Sequence, residues 1–293
     1  MSLAGILYVS NGIIAPISPN GYENALAAKR SGSAPASSAS YVCQGGFKPE
    51  SFSSEKCIAG DTTKPATALL IGDSNAAHYA GYLSAIARSQ GVAFRNVEHA
   101  SCPPFPGQRS IRYVREGYKV SCPAYNAEAF KQMDGYDTII VGGSWPAYAV
   151  DKTAFREDFN AMLDVLSQSG KRVIIALKIP TFLAVDRQCS EKALKIPFIN
   201  CDAKTIVSDR GESALNQEII KLISARDNIS YFGVRDTICD GKTCSAFSGD
   251  TQLYYDGGHL SHAGSEKLGN IALETGKVPK SLANLARPNL ATN

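Results

Sequence analysis

From residue 67 onward the chain alternates short apolar runs with stretches of helical period, and this alternation limits the possible folds more than any other feature. The runs are TALLIG (67–72), VAFRNV (92–97), DTIIVGG (137–143), RVIIAL (172–177) and NISYFG (228–233). They are the length of strands, and largely continuous apolar runs suit strands covered on both faces. Helical periods fall at 76–89, 125–133, 152–169, 212–226 and 262–274. Ser208-Asp209-Arg210-Gly211 gives the fourth a turn-type opening, and Gly170 stands where a terminal glycine would close the third. Alternating β and α elements predict a parallel sheet with helices on both faces and right-handed crossovers. In such sheets ligands bind beyond the carboxyl ends of the strands.

Composition narrows the partners. The 293 residues are 44% hydrophobic, enough to fill a sizeable core. A formal net charge of +3 with interspersed signs gives no basic stripe, which argues against nucleic acid. The segment LAGILYVSNGIIAPIS near the start is too short and interrupted to span a bilayer alone. It also lacks the basic flank and small-residue cleavage site of a signal peptide. Residues 31–47 carry no charge and are rich in Ser, Ala and Gly, as in a linker or an extended covering segment.

Eight cysteines stand at 43, 57, 102, 122, 189, 201, 239 and 244. The simplest pairing is sequential, Cys43–Cys57, Cys102–Cys122, Cys189–Cys201 and Cys239–Cys244, one of the 105 that eight thiols allow. Only the last pair approaches the spacing of a zinc site, so disulfides and an oxidising compartment are expected, and no metal.

The chemistry concentrates in two stretches. In ALLIGDSNAAH (68–78) an apolar strand stops at Gly72, and Ser74 stands at the apex of the turn into a helix. In YYDGGHLSHAG (254–264), Asp256 and His259 are three apart. A serine nucleophile needs a base to take its proton and a carboxylate to hold that base in one tautomer. Loops at the carboxyl ends of parallel strands face one side, so Ser74 and the 256–259 loop can meet. Singly, the serine reads as a helix cap, the aspartate as a turn residue and the histidine as structural. Asp73 reads as a turn residue and His78 as packed helix, while His99 and His262 lack the Asp256–His259 context. Tyr254 and Tyr255 read as strand packing, and the basic, aromatic segment 109–120 as a solvated face.

Together, GDS followed late in the chain by DxxHLS resembles the SGNH/GDSL hydrolase superfamily. The stretches ASCPPFPG and DGKTCSAFSGDTQLYYDGGHLSHAG resemble more narrowly the periplasmic SGNH domain fused to acyltransferase-3 membrane proteins of the type that O-acetylate lipopolysaccharide O-antigen. The resemblance implies a three-layer α/β/α sandwich with a flavodoxin-like parallel sheet and an N-terminal extension. It divides the chain into 1–20, a membrane-proximal remnant or an added start; 21–64, a linker or extension; and 65–293, the SGNH domain with its tail.

It further implies Ser74 as nucleophile, His259 as base and then acid, and Asp256 as the orienting carboxylate. The Ser74 backbone N–H would be one oxyanion donor. The usual GxND block is replaced by Gly142-Gly143-Ser144-Trp145, leaving Gly142, Gly143 and Ser144 as candidate donors without the usual asparagine. Ser101 or Gly107 would take the place of the superfamily's oxyanion glycine. Trp145 could stack on a sugar face or belong to the core. The function implied is acyl transfer, expected to be acetyl, to a sugar hydroxyl of a surface polysaccharide. No cofactor would be bound, and the acyl group would derive from acetyl-CoA through the membrane acyltransferase-3 domain. The domain would be periplasmic and tethered to the inner membrane. A free-standing carbohydrate or lipid esterase and a non-catalytic glycan-positioning module are the alternatives.

Overall fold

The computed structural model describes residues 5–6, 19–183, 185–196, 198–201, 205–206, 212–241 and 243–285. Most of 1–20 and the turn read at Ser208–Gly211 lie outside these. Seven strands form one sheet: β1 Gln44–Gly45, β2 Ile58–Gly60, β3 Ala66–Gly72, β4 Ala93–His99, β5 Thr138–Gly142, β6 Arg172–Ala176 and β7 Ile229–Phe232. The path runs β1-β4-β3-β5-β6-β7, parallel throughout, with β2 antiparallel on β4. The five longer strands thus follow the flavodoxin-like order, and the five apolar runs end within two residues of their observed limits.

The helices used below are α1 Pro19–Gly32, α2 Ser74–Ala77, α3 Ala80–Ser89, α4 Ser121–Gln132, α5 Trp145–Tyr148, α6 Lys152–Gln168, α7 Glu212–Ile223 and α8 His262–Glu274. Alternate strand residues feed two apolar layers. Leu70, Ile140 and Ile174 pack with Tyr82, Leu83 and Leu268 from α3 and α8. Leu69, Ile139, Val141 and Val173 pack on the other face with Tyr125, Phe159, Met162 and Ile219 from α4, α6 and α7. This is the three-layer sandwich, and it explains why the central strands β3, β5 and β6 are apolar on both faces. Asp151 caps α6 by accepting from the N–H groups of Thr153 and Ala154, and Ser261 caps α8 through Gly264 N–H.

The uncharged N-terminal stretch covers the outer edge of β4. There β1 and β2 pair with opposite ends of that strand, and the Cys43–Cys57 disulfide joins the segments that carry them. Buried Asn96 on β4 binds both sides of this bridge. It accepts from Cys43 N–H and donates to the carbonyls of Tyr41 and Cys57. The other disulfides are Cys102–Cys122, Cys189–Cys201 and Cys239–Cys244, the sequential pairing throughout.

The ends of β3 and β5 approach closely. Gly72 has φ +136°, and a Cβ there would lie 1.8 Å from the Gly142 carbonyl oxygen. A Cβ on Gly142 would lie 2.7 Å from Ala76 Cα in α2. Gly72→Ala is therefore expected to cost about 3 kcal/mol or more of unfolding free energy. Gly107→Ala, equally left-handed but with nothing within 4 Å, should cost only about 1 kcal/mol. Urea denaturation of the two variants checks this; equal losses would contradict it.

Candidate active site

In this strand order the first strand, β3, has its neighbours on opposite sides, the position beyond whose end sheets of this kind bind ligands. Gly72 ends β3 there, and Asp73 continues it in an extended conformation, φ −105°. The Asp73 carboxylate accepts from Asn75 N–H at 2.7 Å, so Asp73 caps α2 and the serine does not. Ser74 Oγ is left for another partner and lies 2.9 Å from His259 Nε2.

His259 is held by a tight hairpin, β8 Tyr254–Asp256 and β9 His259–Leu260, in which Asp256 pairs with His259 across Gly257-Gly258. Asp256 Oδ1 accepts from the N–H groups of Gly258 and His259 at 2.8 and 2.9 Å. Its two oxygens lie 2.9 and 3.1 Å from His259 Nδ1. An ionised carboxylate only accepts, so Nδ1 carries the ring proton and Nε2 turns its lone pair toward Ser74. Burial alone would push the Asp256 carboxyl up. The His259 ring, by hydrogen bond and charge, and the two backbone N–H groups outweigh it and bring it down to about 2. The hairpin turn is itself clamped, because Phe182 N–H donates to Gly257 O at 2.8 Å.

Two further side chains reach this centre. Asn75 Nδ2 lies 3.3 Å from the same His259 Nε2. Asn75 Oδ1 accepts from Lys178 Nζ, which also donates to Gly258 O at 2.6 Å. Lys178 stands just past the end of β6, its backbone held in both directions by the Asn216 amide of α7. Burial lowers the Lys178 ammonium to about 8, although Asp73, Asp256 and Glu212 favour the charge. Sequence reasoning passed over both residues. The available signal was a lysine ending the apolar run RVIIALK, where a charge has no place unless it is paired.

Asp73 is fully buried and ties the two strand ends together. It accepts from Ser144 N–H at 2.8 Å and from the Tyr148 hydroxyl on α5. Burial raises its carboxyl, while Tyr148, the Ser144 and Asn75 N–H groups and Lys178 oppose that rise. The Ser144 N–H is thus spent on Asp73 and is not a free oxyanion donor. Gly142 accepts Asp73 N–H through its carbonyl, at 3.4 Å. Gly143 is needed by its neighbour, since a Cβ there would lie 2.7 Å from the Trp145 ring. Trp145 is fully buried, donates to Ala176 O at 2.8 Å and packs edge-on against Phe159. It is core and offers no face to a sugar.

A cavity of about 280 Å³ lies beside Ser74, Asp256 and His259. Pro35, Ala36, Ser37 and Gln44 of the N-terminal segment form one wall, and Ala100 and Ser101 line it as well. Ser101 has φ +56°, unusual for a residue other than glycine, whereas Gly107 does not line the cavity. His78 lines it with both ring nitrogens buried and without hydrogen-bond partners among the described residues. Burial, then the charges of Lys178 and His259, keep its ring well below the usual histidine range. Tyr254 is buried and donates to Pro180 O, as strand packing requires. Tyr255 instead lines the cavity, with the Arg187 guanidinium over its ring. His99 binds Ser121 Oγ and Ala100 O, and His262 packs against Tyr41. Arg109, Arg112 and Tyr113 converge on buried Asp158, which anchors the 109–120 segment to α6. A larger groove, about 1540 Å³, runs along β7 and holds no serine–histidine pair. Among the described residues no cluster of three or more His, Cys, Asp or Glu side chains is placed to hold a metal ion.

The Asp256 shift has a stability consequence. A carboxyl near 3.8 when unfolded and about 2 when folded stabilises the native state above both values. That contribution is lost as pH falls through about 2. Asp256→Asn should therefore flatten the acid limb of a plot of thermal midpoint against pH. An unchanged acid limb would contradict the assignment.

The family description "SGNH domain (fused to AT3 domains)" matches residues 42–274. Among solved structures, the periplasmic domain of a Salmonella ser. Paratyphi A lipopolysaccharide acetyltransferase superposes with a TM-score of 0.59 at 17% identity. The match covers 81% of this chain and 92% of that one, a likeness of fold. No match to a curated protein is found. On the extent of the family match, this chain belongs to the SGNH domains that occur fused to AT3 domains.

Proposed function

We propose that this domain transfers an acyl group, acetyl in the first instance, to a sugar hydroxyl of a surface polysaccharide such as O-antigen. The observation that carries the reading is the aligned series Asp256–His259–Ser74, with 2.9 Å from Asp256 Oδ1 to Nδ1 and 2.9 Å from Nε2 to Oγ. His259 takes the Ser74 proton as Oγ attacks the acyl carbonyl, and Asp256 stabilises the imidazolium that forms. Collapse expels the donor's leaving group, to which His259 returns the proton. The acyl group then rests on Ser74. An acceptor hydroxyl, deprotonated by the same nitrogen, reverses the sequence and leaves with the acyl group.

The donor side belongs to a membrane acyltransferase-3 domain that draws on acetyl-CoA, in keeping with a family that occurs fused to AT3 domains. That arrangement puts this domain in the periplasm, tethered to the inner membrane, where its four disulfides would persist. The cavity of about 280 Å³ suits an acyl group and part of a sugar ring better than a long lipid chain.

Intact-mass analysis after incubation with p-nitrophenyl acetate tests the nucleophile. The expected result is one acetyl adduct on the wild type, absent from Ser74→Ala. Adduct formation should slow by about 10⁴-fold or more in His259→Ala. A wild type that acquires no adduct while folded and oxidised would contradict the reading and favour a glycan-positioning module.

A further inference from the structure

An acyl-transfer site must stabilise the oxyanion that forms when Ser74 attacks, and one of the donors first expected here is engaged elsewhere. Ser144 N–H is bound to Asp73, and Trp145 stands where the family's usual block continues. We propose that the Asn75 side-chain amide is an oxyanion donor of this site, and that Lys178 is the positioning residue that fixes its orientation. This rests on the reading of Ser74 as nucleophile.

An amide can be turned either way round, and its neighbours decide which end faces where. Lys178 Nζ has donors only, so the Asn75 oxygen must face it, and the NH₂ group faces His259. Lys178 cannot drift, because Gly258 O holds its ammonium and the Asn216 amide holds its backbone. The lysine thus bridges the nucleophile helix and the histidine hairpin. Asn75 is buried, so its amide has no bulk water to turn toward.

In the resting site two donors, Ser74 Oγ–H at 2.9 Å and Asn75 Nδ2–H at 3.3 Å, share the single lone pair of His259 Nε2. When the serine proton moves to Nε2, that lone pair is consumed. At the same moment Oγ bonds to the acyl carbon, the carbonyl π bond breaks, and its electron pair collects on the carbonyl oxygen. The Asn75 N–H loses its acceptor, His259 Nε2, in the same step that creates a stronger one at the reacting carbonyl. Collapse of the intermediate re-forms the carbonyl and returns the proton to the leaving group, restoring the first arrangement. A donor released in this way acts on the transition state and little on the bound substrate, and so speeds acylation without tightening binding.

Asn75→Asp separates donation from scaffolding. An aspartate keeps the side-chain shape and its contact with Lys178 but presents oxygen where NH₂ stood. Acetylation of Ser74 by p-nitrophenyl acetate, followed by stopped flow across pH, should slow by about 10²-fold or more at every pH. KM should be unchanged. An Asn75→Asp protein that acylates at the wild-type rate overturns the proposal, leaving Asn75 as a mere partner for Lys178.

Lys178→Met gives a second, independent measurement should the aspartate variant not fold. It should slow acylation by about tenfold to 10²-fold by freeing the amide. The double variant Asn75→Ala/Lys178→Met should be no slower than Asn75→Ala alone; multiplicative losses overturn the positioning role. A wild type that forms no acetyl adduct overturns this proposal together with the function it rests on. A wild-type adduct with an unimpaired Asn75→Asp overturns this proposal alone.

Discussion

The buried carboxylate of Asp73 holds the site together. It lies between the ends of β3 and β5, where Gly72 and Gly142 bring the backbones too close for side chains. Three donors converge on it: Asn75 N–H from α2, and Ser144 N–H and the Tyr148 hydroxyl from the chain beyond β5. A buried charge without such partners would be expelled or neutralised. The same group that caps the helix therefore locks the two strand ends, and with them the position of Ser74. Because Asp73 does the capping, the serine hydroxyl is available to His259.

The second half of the site is assembled differently. Asp256 and His259 sit on a two-strand hairpin outside the main sheet, held by backbone bonds to Phe182 and by the first turn of α8. The N-terminal segment also reaches this hairpin. Pro35 bridges to Ser261, and His262 N–H donates to Ala34 O at 2.9 Å. A segment with no charge of its own thus gains its conformation from the sheet edge and the hairpin, and returns a wall to the cavity. Lys178 joins the two halves, through Asn75 on one side and Gly258 on the other.

Strand positions were legible because a strand buried on both faces must be apolar at consecutive positions, and few other elements of that length are. That Ser74, Asp256 and His259 would meet was legible because loops at the carboxyl ends of parallel strands face one side. The helix read as one element over 76–89 is two, α2 and α3. Between them Tyr79 N–H bonds Ala76 O in a tightened turn that leaves the apolar period almost undisturbed. The strands β1 and β2 were hidden because two or three residues carry no period, and their pairing depends on Asn96, far along the chain. Trp145 shows the opposite limit: an aromatic near a strand end suits a sugar or a core equally well, and only packing against Phe159 and Gly143 decides. Asn75 and Lys178 meet only in three dimensions, 103 positions apart.

The most direct test of the account is the fate of the acyl group once Ser74 carries it. The acetylated domain, freed of p-nitrophenyl acetate, would be divided between buffer and buffer containing polysaccharide acceptor. Adduct loss would be followed by intact mass, and acetyl on the sugar by nuclear magnetic resonance. The account predicts that adduct loss accelerates with acceptor concentration and that acetyl appears on a sugar hydroxyl. Loss at one rate in both samples, with free acetate the sole product, would contradict transfer and identify an esterase.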